Sequence, residues 1–547
     1  MDFSVGNANT PFLPHLSIGT GSSATLDDFT PADLLILREL LPYVKNSLLE
    51  ARLSDLCWLR MTPRSNQLAK QAIKAYTAFD LTPEFWLADG SNCFERAIIL
   101  CGQNKRSSVA ELSAIVQSMI TCFESTLANN HCISADIANT LLKAAPDEIK
   151  ALKIAEALLN KGLELVPEKL HQDARSLFEL ALKFFERAKN TDRRDEVIIL
   201  IAEQHEFEGE AELNDERAVP FFANQRFEDA IQTYRKLSKQ SRLKYGVEFK
   251  IDDLRSKLIN TGLLAVLGMQ TVVPKPINIA DLVAHARDCV RGKDKLKALA
   301  AIADIFGGVS YSTTKLHTAK RASEFPLSGL FRPIKHNALG QVIARGPARG
   351  LDNSSYDQDD KSINFEMIRS FVFEIDLVAQ GQIYPAVEVL KSEHRISLPD
   401  ILRIVSASPI VPADRHVLIS KALFYGFEND FDLAIHILAP QIENIVRQQL
   451  KRVDVLTTTF DVAGIEQEIG LSSLMDKEKV DDIFGIDVAF EIRALFCNAW
   501  GPNLRNQIAH GLLSDDEAQS TVAIYAWWWS FRLFFKQYEY FAARNAV

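Results

Sequence analysis

Residues 501 to 517, GPNLRNQIAHGLLSDDE, bring Arg505, Asn506 and His510 into one short stretch. Arginine offers a planar fork of N–H donors for phosphate oxygens, where lysine offers a point charge. Histidine, with an ordinary pKa of about 6.5, takes or gives a proton near neutrality. Together they suit chemistry at a phosphate ester. No other arginine of the chain precedes a histidine by five to seven residues. Asn506 would orient the histidine or hold the phosphate; its plain alternative is a polar residue in a first helical turn.

The surrounding residues read as helix punctuation. Asn503 is expected to cap a short helix running through His510, and Gly511 to end it, since glycine takes the left-handed conformation cheaply. Ser514 and Glu517 form a capping box for a following helix with Val522, Ala526, Trp529 and Leu533 on one face. Residues five apart lie about 140° apart around a helix. Arg505 therefore belongs to the first turn and His510 to the last, and the pair is not a simple same-face dyad. His510 also has an ordinary explanation there, since a cation at a helix C-terminus gains roughly 0.3–1 kcal/mol from the dipole.

A second stretch, IHILAPQIENIVRQQLKR, places His436, Glu443 and Arg447 near one helical face, with Pro440 bending or starting the helix. The aromatic run AWWWSFRLFFKQYEYF offers rings that would stack unpaired bases. Yet Trp529, Leu533 and Tyr540 continue an inward stripe, which favours core or dimer surface. No H-x-x-x-H, H-E-x-x-H or paired-cysteine cluster is present, so neither metal nor cofactor is expected. Asp55, between Arg52 and Arg60 in RLSDLCWLR, reads as part of a packed helix face.

At 547 residues the chain exceeds one core. Its net charge of −10 argues against a surface coated in basic residues but leaves room for a local basic pocket. Seven cysteines without regular spacing, and no secretory signal at the N-terminus, fit reduced thiols and a cytoplasmic protein. The most apolar stretch, STVAIYAWWWSFRLFF, contains Ser530 and Arg532 and reads as a buried helix, so no membrane span is expected.

The helical period dominates the chain. Ala174, Leu177, Phe178, Ala181, Phe185 and Ala188 recur at threes and fours, as do Phe227, Ala230, Ile231, Tyr234 and Leu237. Such helices suit antiparallel pairs stacked as a solenoid, and the A-I-x-x-Y element at Ala230–Tyr234 resembles tetratricopeptide helices, although no steady 34-residue period is found. Prolines 274 and 276 break the pattern. The expected fold is mainly α: a disordered tail over 1–26, a helical region over 27–324 opened by Thr30 and Pro31, a β-containing insert and acidic linker over 325–362, and a helical domain over 363–547 with its core at 415–547.

LRNQIAHGL closely resembles the signature of the HEPN superfamily, an arginine, a polar residue and then a histidine beside a bundle's closing helix. With DFDLAIHILAPQIENIVRQQL and LLEARLSDLCWLR, it also resembles a family of uncharacterised bacterial proteins with a long helical N-terminal region and a C-terminal HEPN-like domain. The resemblance implies a metal-independent endoribonuclease, with RNA as substrate. One histidine per chain supplies one proton-transfer group, and the resemblance implies a homodimer through the C-terminal domain that supplies two. It further implies support from Glu443, Arg447 and His436, with Glu443 orienting Arg505 or His510 from a neighbouring helix, and a role in antiviral defence or a toxin system. The helical region would then receive a trigger or protein partner. The alternative is a non-catalytic scaffold or a nucleotide-binding dimerisation protein.

Overall fold

The computed structural model describes residues 2–3, 11–18, 21–214, 219–270, 272, 275–325, 333–347 and 360–545. The fold is mainly α with a few two-stranded antiparallel pairs. It forms two compact units, Met1–Met269 and Gln270–Val547. The division falls at the first proline break rather than near residue 362, because the helices between 280 and 324 contribute Val290, Ala298, Leu299 and Ile302 to the core of the second unit. Breaks in helical pattern mark where the chain turns, not which core the next helix joins.

In the first unit, residues 1–26 were expected to be disordered. Their described part instead holds β1 (Asp2–Phe3) paired with β2 (Phe12–Leu13), and β3 (Ser17–Ile18) paired with β4 (Gly21–Ser22). Phe12 is buried with Leu26, Leu34 and Leu56, and the Arg52 guanidinium lies 3.5 Å over the Phe3 ring. Helix α1 (Pro31–Leu40) begins as its sequence predicts, with the Thr30 side chain and Asp33 forming a capping box. Then come α2 (Ser47–Arg60), α3 (Asn66–Tyr76), α4 (Ser91–Asn104), α5 (Val109–Leu127) and α6 (His131–Lys143).

The five long helices that follow are α7 (Glu148–Leu165), α8 (His171–Arg187), α9 (Thr191–Asn214), α10 (Pro220–Tyr234) and α11 (Val247–Gly268), each packed on the next. Every residue of the two periodic stripes is buried except Ala188, which is half-buried. Two glycines permit the close approaches. A Cβ at Gly162 would overlap the Phe178 ring of the next helix, and one at Gly209 would overlap that of Phe227.

The second unit opens with α12 (Ala280–Val290), α13 (Lys295–Ala303) and α14 (Tyr311–Glu324). The expected β-containing insert is a hairpin of β5 (Ile334–His336) and β6 (Val342–Arg345). The acidic linker at 349–362 lies outside the described residues up to 359, and its last three residues already belong to α15 (Asp360–Val378). Next are α16 (Tyr384–Glu393), α17 (Leu398–Ser406), α18 (His416–Phe427) and α19 (Phe431–Lys451). The helical pattern does not run unbroken to the end. A second hairpin, β7 (Thr458–Phe460) with β8 (Glu466–Glu468), precedes α20 (Ile486–Ile492), α21 (Leu504–Ala509), α22 (Asp515–Ala518) and α23 (Thr521–Asn545).

The aromatic run of α23 is the centre of this core. Trp527, Trp528 and Trp529 are buried, and each indole N–H has an acceptor: Leu423 O at 2.9 Å, Ile302 O at 2.7 Å and Glu491 Oε2 at 2.9 Å. Gly426 of α18 makes room for Trp527, whose ring a Cβ would overlap. Glu491 also accepts from Tyr525 Oη at 2.7 Å and Val309 N at 3.2 Å, and burial pushes its carboxyl upward. These rings are enclosed, so they neither stack on a ligand nor form a dimer face. Tyr540, expected on the inward stripe, is 59% exposed because it lies beyond the last buried turn.

Candidate functional site

The 501–517 stretch is held by contacts that its composition anticipates only in part. Gly501 is buried, and a Cβ there would overlap the Ala494 carbonyl oxygen. The Lys335 amine of β5 donates to Ala499 O at 3.0 Å and Gly501 O at 2.8 Å, so the insert fixes the approach to α21. Burial pushes the Lys335 pKa down. Asn503 sits at the N-cap position as expected but in the left-handed conformation (φ 51°), and its side chain makes no capping bond. The backbone turn, rather than an asparagine cap, starts this helix.

Arg505 lies in the first turn of α21 and His510 at its C-cap, with Gly511 in the left-handed region at φ 63°. Ser514 and Glu517 make the expected capping box, but on the one-turn α22 rather than on α23 itself. Val522 and Leu533 of α23 are half-buried, while Ala526 and Trp529 are fully buried.

Glu443 of α19 joins two guanidinium groups. It accepts from Arg447 Nη2 at 2.7 Å and from Arg505 Nε at 2.6 Å. Burial raises the Glu443 pKa, but the two guanidinium bonds outweigh it and hold the carboxyl below its usual range. Arg447 continues the cluster to Ile469 O at 2.8 Å and Glu468 at 3.0 Å, and Lys451 pairs with Glu468 at 2.6 Å. Glu468, Lys451 and the β7–β8 hairpin were missed from sequence. The turn residues Asp461 and Gly464 were the available signal.

Glu443 holds Arg505 through Nε. Among the described residues no acceptor engages the two terminal nitrogens of Arg505, and its side chain is one-third exposed. Gly470 lies next to that end, where a Cβ would stand in ordinary contact at 3.6 Å from Arg505 Nη2. His510 is exposed and its ring makes no hydrogen bond among the described residues. Asn506 is half-exposed, and its carbonyl accepts from His510 N at 3.1 Å, closing the helix.

His436 is not brought into this cluster. Its Nδ1 donates to Asp432 O at 2.7 Å on the exposed side of α19, about 10 Å along the axis from Glu443. Pro440 lies inside α19, which runs continuously from Phe431, so the proline does not start the helix. Among the described residues, no group of three or more His, Cys, Asp or Glu side chains is placed to hold a metal ion, and no helix is long and apolar enough to cross a membrane.

The first unit holds a different charged feature. Asp55 and Arg96, fully and almost fully buried, form a two-point pair, with Arg96 Nε and Nη2 each 2.8 Å from a carboxylate oxygen and Tyr76 Oη donating at 3.1 Å. Both residues lie within residues 1–111, which match the model of a family described as a domain of unknown function (DUF7380). Comparison with curated proteins and with solved structures gives no match. The family likeness covers the N-terminal fifth of the chain and does not extend to Arg505 and His510.

Proposed function

We propose that this protein is a metal-independent endoribonuclease that uses Arg505 and His510 from two copies of the chain. The observation that carries the reading is the way Arg505 is held. Glu443 fixes the guanidinium through Nε, no acceptor among the described residues engages its terminal N–H groups, and His510, five residues on, is exposed with no side-chain hydrogen bond among the described residues.

In the proposed reaction one His510 removes the proton of a ribose 2′-hydroxyl. The oxygen attacks phosphorus in line, and the P–O5′ bond breaks. The partner's His510 gives a proton to the departing 5′-oxygen, leaving a 2′,3′-cyclic phosphate and a 5′-hydroxyl. Arg505 binds the equatorial oxygens, where charge grows. Attack and departure occur on opposite faces of phosphorus, so one imidazole does not reach both. The helices of the first unit offer a surface for a trigger or protein partner, and a cytoplasmic role in antiviral defence or as a toxin follows from the HEPN resemblance alone.

A second reading has its own support. The chain Arg505–Glu443–Arg447–Glu468–Lys451 ties α21 and the β7–β8 hairpin to α19. An ion cluster of that kind serves a purely structural scaffold equally well. Expression in bacteria separates the two. Wild type should fragment total RNA and slow growth, while His510→Ala, equally soluble, should leave both normal. Indistinguishable RNA from the two strains favours the scaffold.

A further inference from the structure

The β7–β8 hairpin is the least covered element of the second unit. Asp461 builds its turn by accepting from Ala463 N and Ile465 N, each at 2.9 Å, and Gly464 takes a left-handed φ of 78°. The register pairs Thr458 with Glu468, Thr459 with Gln467 and Phe460 with Glu466. Asp461 N donates to Ile465 O and Ile469 N to Thr457 O, both at 3.0 Å. Alternation along an antiparallel ladder then directs the backbone of Thr459 toward β8 and that of Thr458 and Phe460 outward. Among the described residues nothing pairs with those outward groups.

Two apolar side chains on this edge are open, while the half-buried Thr458 donates its hydroxyl to Glu466. Leu456 is 77% exposed and Phe460 68%, on one face of the strand. The segment Leu456–Phe460, LTTTF, is rich in β-formers and carries no lysine, proline or charge, the devices by which an edge strand is kept from pairing. The opposite edge differs. Its β8 carries Glu466, which accepts from Thr458 Oγ1, and Glu468, which pairs with Arg447 and Lys451, so a second β8 there would set carboxylate against carboxylate.

We infer that β7 is an interaction surface for a second copy of this chain, joined antiparallel through its outer edge about a twofold axis at Thr459. In that register Thr458 lies opposite the partner's Phe460, in a pair that exchanges two backbone hydrogen bonds, and the reverse pair is identical. Phe460 also reaches the partner's Leu456 diagonally on the same face. A second copy is the occupant that this edge fits. The pairing is self-complementary, needs no charge from the partner and avoids the acidic strand, so the same patch serves both chains. At the foot of the hairpin Glu468 and Ile469 bond Arg447, and Gly470 lies next to Arg505. The dimer therefore joins two candidate sites through the element that flanks each. The inference goes beyond the nuclease reading and stands without it.

Sedimentation of the full chain at micromolar concentration, without RNA, tests it. Wild type is expected at twice the 61.3 kDa chain mass. Phe460→Lys, which places a charge on the edge, and Thr458→Pro, which removes an outward backbone donor together with the hydroxyl bond to Glu466, should sediment at the chain mass with unchanged helical content. Thr459→Cys should form a linked dimer on oxidation, because facing residues of a non-hydrogen-bonded pair have Cα atoms about 4.5 Å apart, within disulfide reach; Gln467→Cys on β8 should not. A monomeric wild type, or a dimer that survives both edge variants, overturns the inference. Absence of RNA cleavage by a dimer paired in this way would count against the nuclease reading and leave the interface standing.

Discussion

Replacing Arg96 with methionine is expected to destabilise the first unit by about 3–5 kcal/mol, the usual cost of leaving one half of a buried ion pair behind. Asp55 is fully buried and Arg96 nearly so, and the guanidinium engages both carboxylate oxygens. Without it, Tyr76 is the remaining side-chain donor to Asp55 among the described residues, and a buried acidic group has lost its paired cation. Native-state hydrogen exchange on the amides of α2, α3 and α4 measures the loss directly. Each 1.4 kcal/mol is tenfold, so exchange through global opening of this unit should quicken by roughly 10²- to 4 × 10³-fold. The double variant Asp55→Leu with Arg96→Met should recover most of the loss, since paired apolar replacements of buried ion pairs are often neutral. A single variant that exchanges like wild type would mean the pair contributes nothing.

At the candidate site the largest effect should be on rate. His510→Ala removes one proton-transfer group and should lower RNA cleavage by about 10²–10⁴-fold. Arg505→Lys should be nearly as damaging, for two reasons. Lysine lacks the fork for phosphate oxygens, and it cannot give Glu443 an Nε–H while leaving further donors in the same plane. Neither change should unfold the protein, because His510 is exposed and makes no side-chain bond among the described residues. Helix punctuation predicts the opposite pattern: His510→Ala would cost up to about 1 kcal/mol in a melt and leave cleavage unchanged. Kinetics and thermal melts on the same two variants decide between them.

The parts of the fold that were legible in sequence are those with a local cause. The 3.6-residue period placed Ala174 to Phe185 and Phe227 to Leu237 in the core, and Thr30 with Asp33 and Ser514 with Glu517 marked real helix starts. What escaped depends on distant neighbours. Asp55 and Arg96 are 41 residues apart, and nothing beside either announces the other. The β7–β8 hairpin is hard to read because Val453 to Phe460, VDVLTTTF, is short, mixed in polarity and follows directly on a long helix. The Trp-rich stretch reads from its stripe as core or dimer surface, and its three tryptophans are core. Its burial is tighter than periodicity requires, since a glycine on α18 admits Trp527 against the backbone. For the candidate site, sequence supplied the residue types and the HEPN resemblance suggested Glu443 as the group that orients Arg505. The contact spans 62 residues and could not be read from spacing. His436, chosen on the same helical face, turns back to its own helix instead.

The most direct measurement is the chemistry of the product ends. Purified full-length protein, incubated with a labelled single-stranded RNA in excess EDTA, should cut it and leave 2′,3′-cyclic phosphate, or the 2′- or 3′-phosphate from its opening, beside 5′-hydroxyl termini. Mass spectrometry of the fragments reads both ends at once. Cleavage that vanishes in chelator and returns with magnesium, or products bearing 5′-phosphates, would contradict an arginine and histidine site working through the RNA's own 2′-hydroxyl.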